Sequence, residues 1–348
     1  MTMFEQLPVK GSRQKEASSV LRKSRSASAD GESNSVVATT TEFIYNRGRP
    51  VPVTGIHVAS KCLIFQGRFV RVARLKDEWY DDVGDPEVII KALKTGSPRP
   101  DIFTFWQRLP DIEPVHSYYY ENEALSAVPL KDFEHWWRQQ IRTDTRKKAK
   151  RAEKRGIEIR IVELDDDFVR GVSGVFNETP IRRGRRFWHY GKDFDTLKAG
   201  LSRDLDKSKF IGAYDNGELV GFVKLVCADG RFANPGLIVS KLAYRNKYVN
   251  NALLAKSVEV CTQDQIPYLT YTNWRRGTQA EFLVRHGFQK VFIPRYWVPL
   301  TSKGAIAIKL GLHRNVRSYT PGPLLDLLRR LRAAFYTTRY GGSAEEGD

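Results

Sequence analysis

Apolar and polar positions alternate most clearly in KFIGAYDNGELVGFVKLV, residues 209–226, where two apolar runs flank Asp215-Asn216-Gly217. That tripeptide tolerates positive φ, so the pattern predicts an antiparallel hairpin closed by a tight turn. IEIRIVEL (157–164) alternates as a strand, and DDDFVRGVSGVFNETP (165–180) and DFDTLKAGLSRDLDKS (193–208) repeat with helical spacing. Beyond the hairpin the pattern predicts a strand in PGLIVSKLAY (235–244) and a helix in NNALLAKSVEVCTQD (250–264) with Leu254, Val258 and Cys261 on one face. A strand PYLTYTN, a short helix TQAEFLVRHG and a strand KVFIPRYWVPL complete this region.

Upstream, CLIFQGRFVRVARL, DIFTFWQRL and SYYYENEALSAVPL read as strands, giving a small N-terminal α+β lobe over residues 43–130. DFEHWWRQQIRTDTRKKAKRAEKRG (132–156) reads as one long helix. Asp132 caps it, Phe133, Trp136, Trp137 and Ile141 share a face, and Gly156 takes the left-handed position after its end. Residues 1–40 hold too few apolar groups to offset the entropy of ordering and are predicted to be a disordered tail. In the basic segment 301–348, PGPLLDLLRRLRAAFYTTR sets Leu324, Leu328, Leu331 and Phe335 on one helical face with arginines opposite. Such a helix docks on the core, or makes peripheral membrane contact through residues 323–336. No internal repeat of 20–50 residues is visible.

The 348 residues carry a formal net charge of +17. Residues 138–160 hold ten Lys/Arg against three acids, 182–192 five against none, and 301–340 eight against Asp326 alone. Basic character so concentrated favours a polyanionic partner such as RNA, a nucleotide cofactor or an anionic membrane face. Cys62, Cys227 and Cys261 are widely spaced and the six histidines have no zinc-ligand spacing near them, so a reduced, metal-free protein is expected. The opening residues lack a signal-peptide core and no stretch has the length of a membrane span, so the expected compartment is the cytoplasm.

One stretch exceeds what a turn requires. NETPIRRGRRFWHYG (177–191) sets Arg182, Arg183, Arg185 and Arg186 beside Phe187, Trp188, His189 and Tyr190. Guanidinium groups offer planar paired donors to phosphate or carboxylate, and Trp188 and Tyr190 offer faces for stacking on a sugar, base or ring. Glu178 and His189 are the nearby groups able to accept an amine proton.

From Ile157 onward the element order β-α-α-β-β-β-α-β-α-β resembles the Gcn5-related N-acyltransferase fold. AEFLVRHGFQ (280–289) is similar to that fold's last helix running into its last strand, and IGAYDNGELVGFVKL to its central hairpin. The basic helix ending KRGIEIR resembles the lead-in to the acyltransferase domain of the Fem family of peptidoglycan-bridge aminoacyltransferases. The resemblance covers residues 131–300 and implies an α+β fold, a mixed, splayed β-sheet flanked by helices. It implies transfer of an acyl or aminoacyl group from acyl-CoA or aminoacyl-tRNA to an amine acceptor, in envelope or polysaccharide metabolism, with no metal and no obligate protein partner.

In that fold a central strand splays from its neighbour and its backbone N–H groups face the reacting carbonyl, while a helix N-terminus receives phosphate. Carried onto this chain, the splay falls near Ser240–Tyr244, and the backbone of Lys241, Leu242 and Ala243 is the oxyanion candidate. Arg245, Lys247, Asn250, Asn251 and Asn273 are the other donor contacts. The usual phosphate loop is glycine-rich, but residues 245–251 read RNKYVNN. The position of the family's acid tyrosine holds Leu283, leaving Tyr248, Tyr271 or solvent as proton donor. The 177–191 stretch falls on the acceptor side, with Arg182, Arg185, Arg186, Trp188 and Tyr190 as acceptor contacts and either Glu178 or His189 as base. The competing expectation is a non-catalytic RNA-binding protein on this scaffold.

Overall fold

A computed structural model of the chain describes residues 38–46, 49–182, 184–274 and 278–314, with 331, 334 and 335. Most of the expected tail and of the C-terminal amphipathic segment lies outside these residues. Thr39 and Thr40, assigned to the tail from sequence, begin the first strand.

The N-terminal half is a meander of four antiparallel strands, β1 (Thr39–Asn46), β2 (Arg49–Val58), β3 (Lys61–Gln66) and β4 (Val72–Leu75). Helix α1 (Pro86–Thr95) then crosses over to β5 (Ile102–Trp106), which pairs parallel to β4. Asp85 caps α1 by accepting from Glu87 N, and Pro86 holds the first-turn position where its missing N–H costs nothing. The sequence pattern did not mark β1, β2 or α1.

After β6 (Tyr120–Pro129) the chain forms α2 (Phe133–His135), which runs into a π-helical turn over Trp136–Gln140. The long helix expected over 132–156 is therefore broken. Ile141 is extended at φ −90, ψ 148, and α3 (Thr143–Lys154) starts afresh. The break follows from packing. The Trp136 indole is buried and donates to His286 O at 3.0 Å, Ile141 is buried, and Arg142 N donates to Arg285 O at 3.1 Å. A straight helix could not seat all three groups against the 285–287 turn.

The C-terminal half repeats the plan of the first with helices added. Its elements are β7 (Ile157–Val162), α4 (Asp166–Phe176), the two-residue strands β8 (Ile181–Arg182) and β9 (Arg185–Arg186), α5 (Phe194–Leu201), β10 (Ser208–Asp215), β11 (Glu218–Ala228) and β12 (Phe232–Ser240). Helix α6 (Val249–Gln263) crosses to β13 (Tyr268–Asn273), again parallel to the strand before the helix. Then come α7 (Thr278–Arg285), β14 (Gln289–Pro299) and α8 (Ser302–Lys309). The predicted hairpin is β10–β11, with Asn216 at φ 48 and Gly217 at φ 82. Glycine at 217 adopts that conformation without steric cost, as the tight turn requires.

The two halves form one twelve-stranded sheet in the order β1-β2-β3-β4-β5-β14-β6-β13-β12-β11-β10-β7. Each half presents four antiparallel strands, then a parallel strand reached through one helix. The final strands are exchanged: β6 pairs with β13, and β14 with β5, so both strands cross the division expected near residue 130. Apolar residues of β11 feed a core on each face. Val220, Val223 and Leu225 pack with α6, and Leu219 and Phe222 pack with α4 and α5. Among the described residues no helix is long and apolar enough to cross a membrane.

Candidate functional site

The sheet opens between β12 and β13. Their parallel ladder consists of the single pair Ala233↔Leu269, after which the strands part. The splay therefore starts earlier than Ser240–Tyr244, and the strand expected to run to Tyr244 ends at Ser240, giving way to a 3-10 turn over Leu242–Lys247. Asn234 closes the root of the opening. Its Nδ2 donates to Tyr271 O at 2.8 Å and Thr270 Oγ1 at 3.3 Å, and Thr270 Oγ1 donates to Ala233 O at 3.2 Å.

Two residues beyond Asn234, β12 bulges. Leu225 pairs with Pro235 and Lys224 with Leu237, leaving Gly236 without a partner in β11. Gly236 is exposed, on a strand that has already left β13. An exposed glycine at a bulge is a place where strand backbone can come close to a ligand. The Pro-Gly pair inside a strand pattern was the sequence signal for it. Beside it stands Tyr80, from the loop after β4, whose hydroxyl lies 3.4 Å from where a Cβ on Gly236 would be. Arg108 holds that loop, with Nη1 donating to Asp81 O at 2.8 Å and Nη2 to Tyr80 O at 3.0 Å. Glu78, Trp79, Trp106, Arg108, Phe232 and Thr270 line a partly enclosed cavity nearby, about 290 Å³ with its open mouth included.

Most of the expected donor contacts lie on α6 and the turn before it, with Asn273 apart on β13. Helix α3 packs along α6. Tyr248, the α6 N-cap residue, adopts φ 58 and lies with its ring 5.3 Å from the Arg155 guanidinium and 6.0 Å from Lys148 Nζ. Arg155 also donates to Asn246 O. Lys247 pairs with Asp215 of the hairpin turn, Lys241 with Glu218, and Arg245 is exposed. Asn250 Oδ1 is buried without a partner, and Asn251 Nδ2 lies 3.2 Å from His286 Nε2. Asn273 ends β13 opposite Leu125, in the irregular part of its ladder.

The 177–191 stretch is folded against the end of β12. Glu178 accepts from Leu242 N at 2.6 Å, Ala243 N at 2.9 Å and Arg182 Nη2 at 3.0 Å. Arg182 Nη1 donates to Ser240 O at 2.7 Å and Nη2 also to Val175 O at 3.1 Å. The N–H groups of Leu242 and Ala243, expected to face an oxyanion, are thus engaged by a side chain of the chain itself. Both Glu178 oxygens thus receive N–H donors from the chain itself. It lies by the end of β12, four residues beyond the bulge, or roughly 13 Å along an extended strand.

His189 is buried, packed between Phe176 and Trp188 with ring centroids 4.2 and 3.5 Å away. Burial, aided by Lys192 and Arg182, pulls its pKa down to about 3, so it is a neutral packing group near pH 7 and a weak base. Trp188 and Tyr190 are each 43% exposed, Arg185 and Arg186 are exposed, and Lys192 Nζ lies 4.5 Å from the Trp188 ring centroid. These are the exposed groups of the loop. Sequence reasoning passed over Lys224, buried on β11, whose Nζ donates to Leu201 O at 2.9 Å and also to Arg203 O. Burial pulls this ammonium down to about 8. Its signal was a lysine flanked on both sides by apolar residues, GFVKLVCA.

Ligand-type atoms of Glu42, His57 and Cys62 also lie within 4.8 Å of one another. Lys76 Nζ is 2.8 Å from Glu42 and, with His57, holds that carboxyl down to about 2, which makes the group an ion-pair hub of the N-terminal half.

No protein-family model matches the chain, and no curated protein does. Among solved structures, L-PGS from Bacillus licheniformis is 12% identical and superposes over 81% of this chain and 89% of that one with a TM-score of 0.51. FemX, at 9% identity, covers 74% of this chain and 88% of its own with a TM-score of 0.47. A tandem GNAT protein from the clavulanic acid biosynthesis pathway, at 10% identity, gives 77%, 85% and 0.39. At such identities the likeness is one of fold. The chain has the Gcn5-related N-acyltransferase fold, the mixed, splayed sheet flanked by helices expected from its sequence.

Proposed function

We propose that this chain is an acyltransferase that moves an acyl or aminoacyl group from an activated donor to an amine acceptor. The observation that carries the reading is the opening between β12 and β13 with an exposed bulge at Gly236 just beyond its root. A carbonyl laid there meets strand backbone paired on one edge only, which leaves N–H groups for a developing oxyanion. The donor approaches from the α6 side and the acceptor from the side of residues 177–191. There Trp188, Tyr190, Arg185 and Arg186 suit an amine carried on a ring or on an anionic scaffold.

Between the two donor classes, the charge on α3 favours aminoacyl-tRNA. Arg142, Lys147, Lys150, Arg151, Lys154 and Arg155 are all exposed. The twelve residues of α3 extend this cationic face over roughly 18 Å, longer than the diphosphate of an acyl-CoA can use but suited to successive phosphates of an RNA strand. The phosphate loop without glycine, with Tyr248 in a left-handed conformation, agrees with a donor that has no diphosphate to cradle. In this reading Glu178 and Arg182 latch the acceptor loop to the turn after β12, and His189 packs that loop.

The test is transfer of radiolabelled amino acid from charged tRNA, run beside acetyl-CoA, to hydroxylamine as a small amine acceptor. Formation of hydroxamate dependent on the protein supports the reading. Saturable tRNA binding with no transfer from either donor would instead establish the non-catalytic RNA-binding protein.

A further inference from the structure

We propose that Tyr80, a residue of the N-terminal half, is the proton donor to the leaving group at the Gly236 bulge. The role rests on the transferase reading and adds to it the chemistry of bond cleavage. Three observations converge on this phenol. Its hydroxyl stands over Gly236, 3.4 Å from where a Cβ would be, at the point where β12 has parted from β13. Its ring packs beside Trp79 against the cluster of Leu125, Phe232 and Ile293, and Arg108 bonds its carbonyl, so the side chain is held on a fixed scaffold. Among the described residues its hydroxyl has no hydrogen-bond partner, which leaves it available to a substrate.

The other phenols are less well placed. Tyr248 sits at the α6 N-terminus between Arg155 and Lys148, and the Tyr271 side chain packs with the α6-side core. Leu283, where the resemblance places the usual acid tyrosine, is a core residue at 2% exposure. Burial, with Asp204 and Asp77 adding to it, pushes Tyr80 up to about 12, so the group is fully protonated at neutral pH.

The step balances without a further reactant. The acceptor nitrogen attacks the carbonyl carbon and a C–N bond forms, with the oxyanion facing the β12 backbone. The carbonyl then re-forms as the bond from carbon to the leaving atom breaks. The electron pair goes to that atom, which takes the Tyr80 proton, and the phenolate recovers a proton from the ammonium formed at the acceptor nitrogen. The products are an amide and an alcohol or thiol. An alkoxide leaving from a sugar ester is a strong base and needs this proton. A thiolate, with an ordinary pKa of about 8.5, leaves without it.

The leaving atom therefore reads out the role. Transfer to hydroxylamine from charged tRNA and from the corresponding aminoacyl-CoA thioester is measured for wild type and Tyr80→Phe, with thermal unfolding as the check on folding. The expected result is a kcat lowered on the order of 10² to 10⁴-fold for the oxygen ester, with KM unchanged and the thioester rate within about threefold of wild type. Equal losses on both donors, or no loss on either, would overturn the assignment, since a packing role makes no distinction between oxygen and sulfur. A wild type inactive with both donors refutes the transferase reading itself, and a transferring wild type indifferent to Tyr80→Phe refutes only the role of the phenol.

Discussion

Replacing Glu178 with Gln separates two roles that the sequence alone could not. The carboxylate takes three hydrogen bonds, from Leu242 N at 2.6 Å, Ala243 N at 2.9 Å and Arg182 at 3.0 Å. Both ion-pair partners are largely shielded, with side-chain exposures of 18% and 14%. A hydrogen bond to a charged group contributes about 1.5–3 kcal/mol against about 0.5–1.5 for a neutral pair. Gln keeps one acceptor oxygen, turns an NH₂ toward the remaining donors and loses the charge, so one contact is lost and the others weaken. The expected destabilisation is about 2–4 kcal/mol. At about 2–4 °C per kcal/mol in a large domain, Tm should fall on the order of 5–10 °C in scanning calorimetry. With the loop unlatched, acceptor KM should rise while kcat falls less than about tenfold. A Tm within about 1 °C of wild type together with a kcat loss of 10² or more would refute the latch and restore Glu178 as the general base.

Three further outcomes follow from the same geometry. His189 is held near pKa 3 when folded, against about 6.5 when unfolded, so between those values the unfolded chain takes up a proton that the fold refuses. Stability should fall as pH drops through this window, by about 2 kcal/mol from His189 at pH 5, and His286, pulled down to about 4 by burial, acts in the same direction. His189→Phe should roughly halve the fall of urea-denaturation midpoints between pH 6.5 and 4, since His286 keeps its share, and a wild-type slope in the variant would show that another group carries the effect. Gly236→Val should fold, since its φ is not left-handed, but its side chain would crowd the Tyr80 hydroxyl, so kcat should fall at least about tenfold. Wild-type turnover in that variant removes the bulge from the mechanism. Changing Lys150, Arg151 and Lys154 together to Ala should make the log–log salt dependence of tRNA binding shallower by about 2–3, as expected for two or three lost phosphate contacts. An unchanged slope places the RNA elsewhere.

The legible parts of the fold were those set by local pattern. The β10–β11 hairpin was readable because its turn chemistry and its flanking apolar runs agree. The helix–strand order after Ile157 was readable because α4 and α5 each bury one face and α6 is apolar along most of its length. Long-range packing was not readable. The aromatic residues Phe133, Trp136 and Trp137 gave a helical period, and nothing local revealed that Trp136 must reach His286 O and break the helix. The basic groups of 177–191 were correctly noticed as unusual. Whether an arginine ends in a structural fork, as Arg182 does on Ser240 O and Val175 O, or on the surface, as Arg186 does, depends on β12, which no spacing within the loop can encode. Tyr80 had no signal at all, because its meaning comes from Gly236, more than 150 residues away along the chain.

The repeated plan of the sheet explains why that distant residue arrives there. In the C-terminal half the segment after β12 leads to the crossover helix α6 and flanks the proposed donor side. The segment after β4 holds the same topological place before α1. The N-terminal half has its own incipient opening, since β4 and β5 pair only at Val72↔Ile102 and Ala73↔Phe103. Here a partly buried ion network links the neighbouring strands. Glu78 accepts from Arg74 of β4 at 3.2 Å and from Arg295 of β14 at 3.1 Å, and Arg295 also reaches Thr104 of β5 and Glu123 of β6. The loop carrying Glu78 is tied into that network on its own side. The exchange of β6 and β14 between the halves turns it toward the root of the other opening, where Trp79 and Glu78 line the cavity and Tyr80 stands over Gly236. The chemistry proposed for this chain therefore needs both halves, although only one retains an open split.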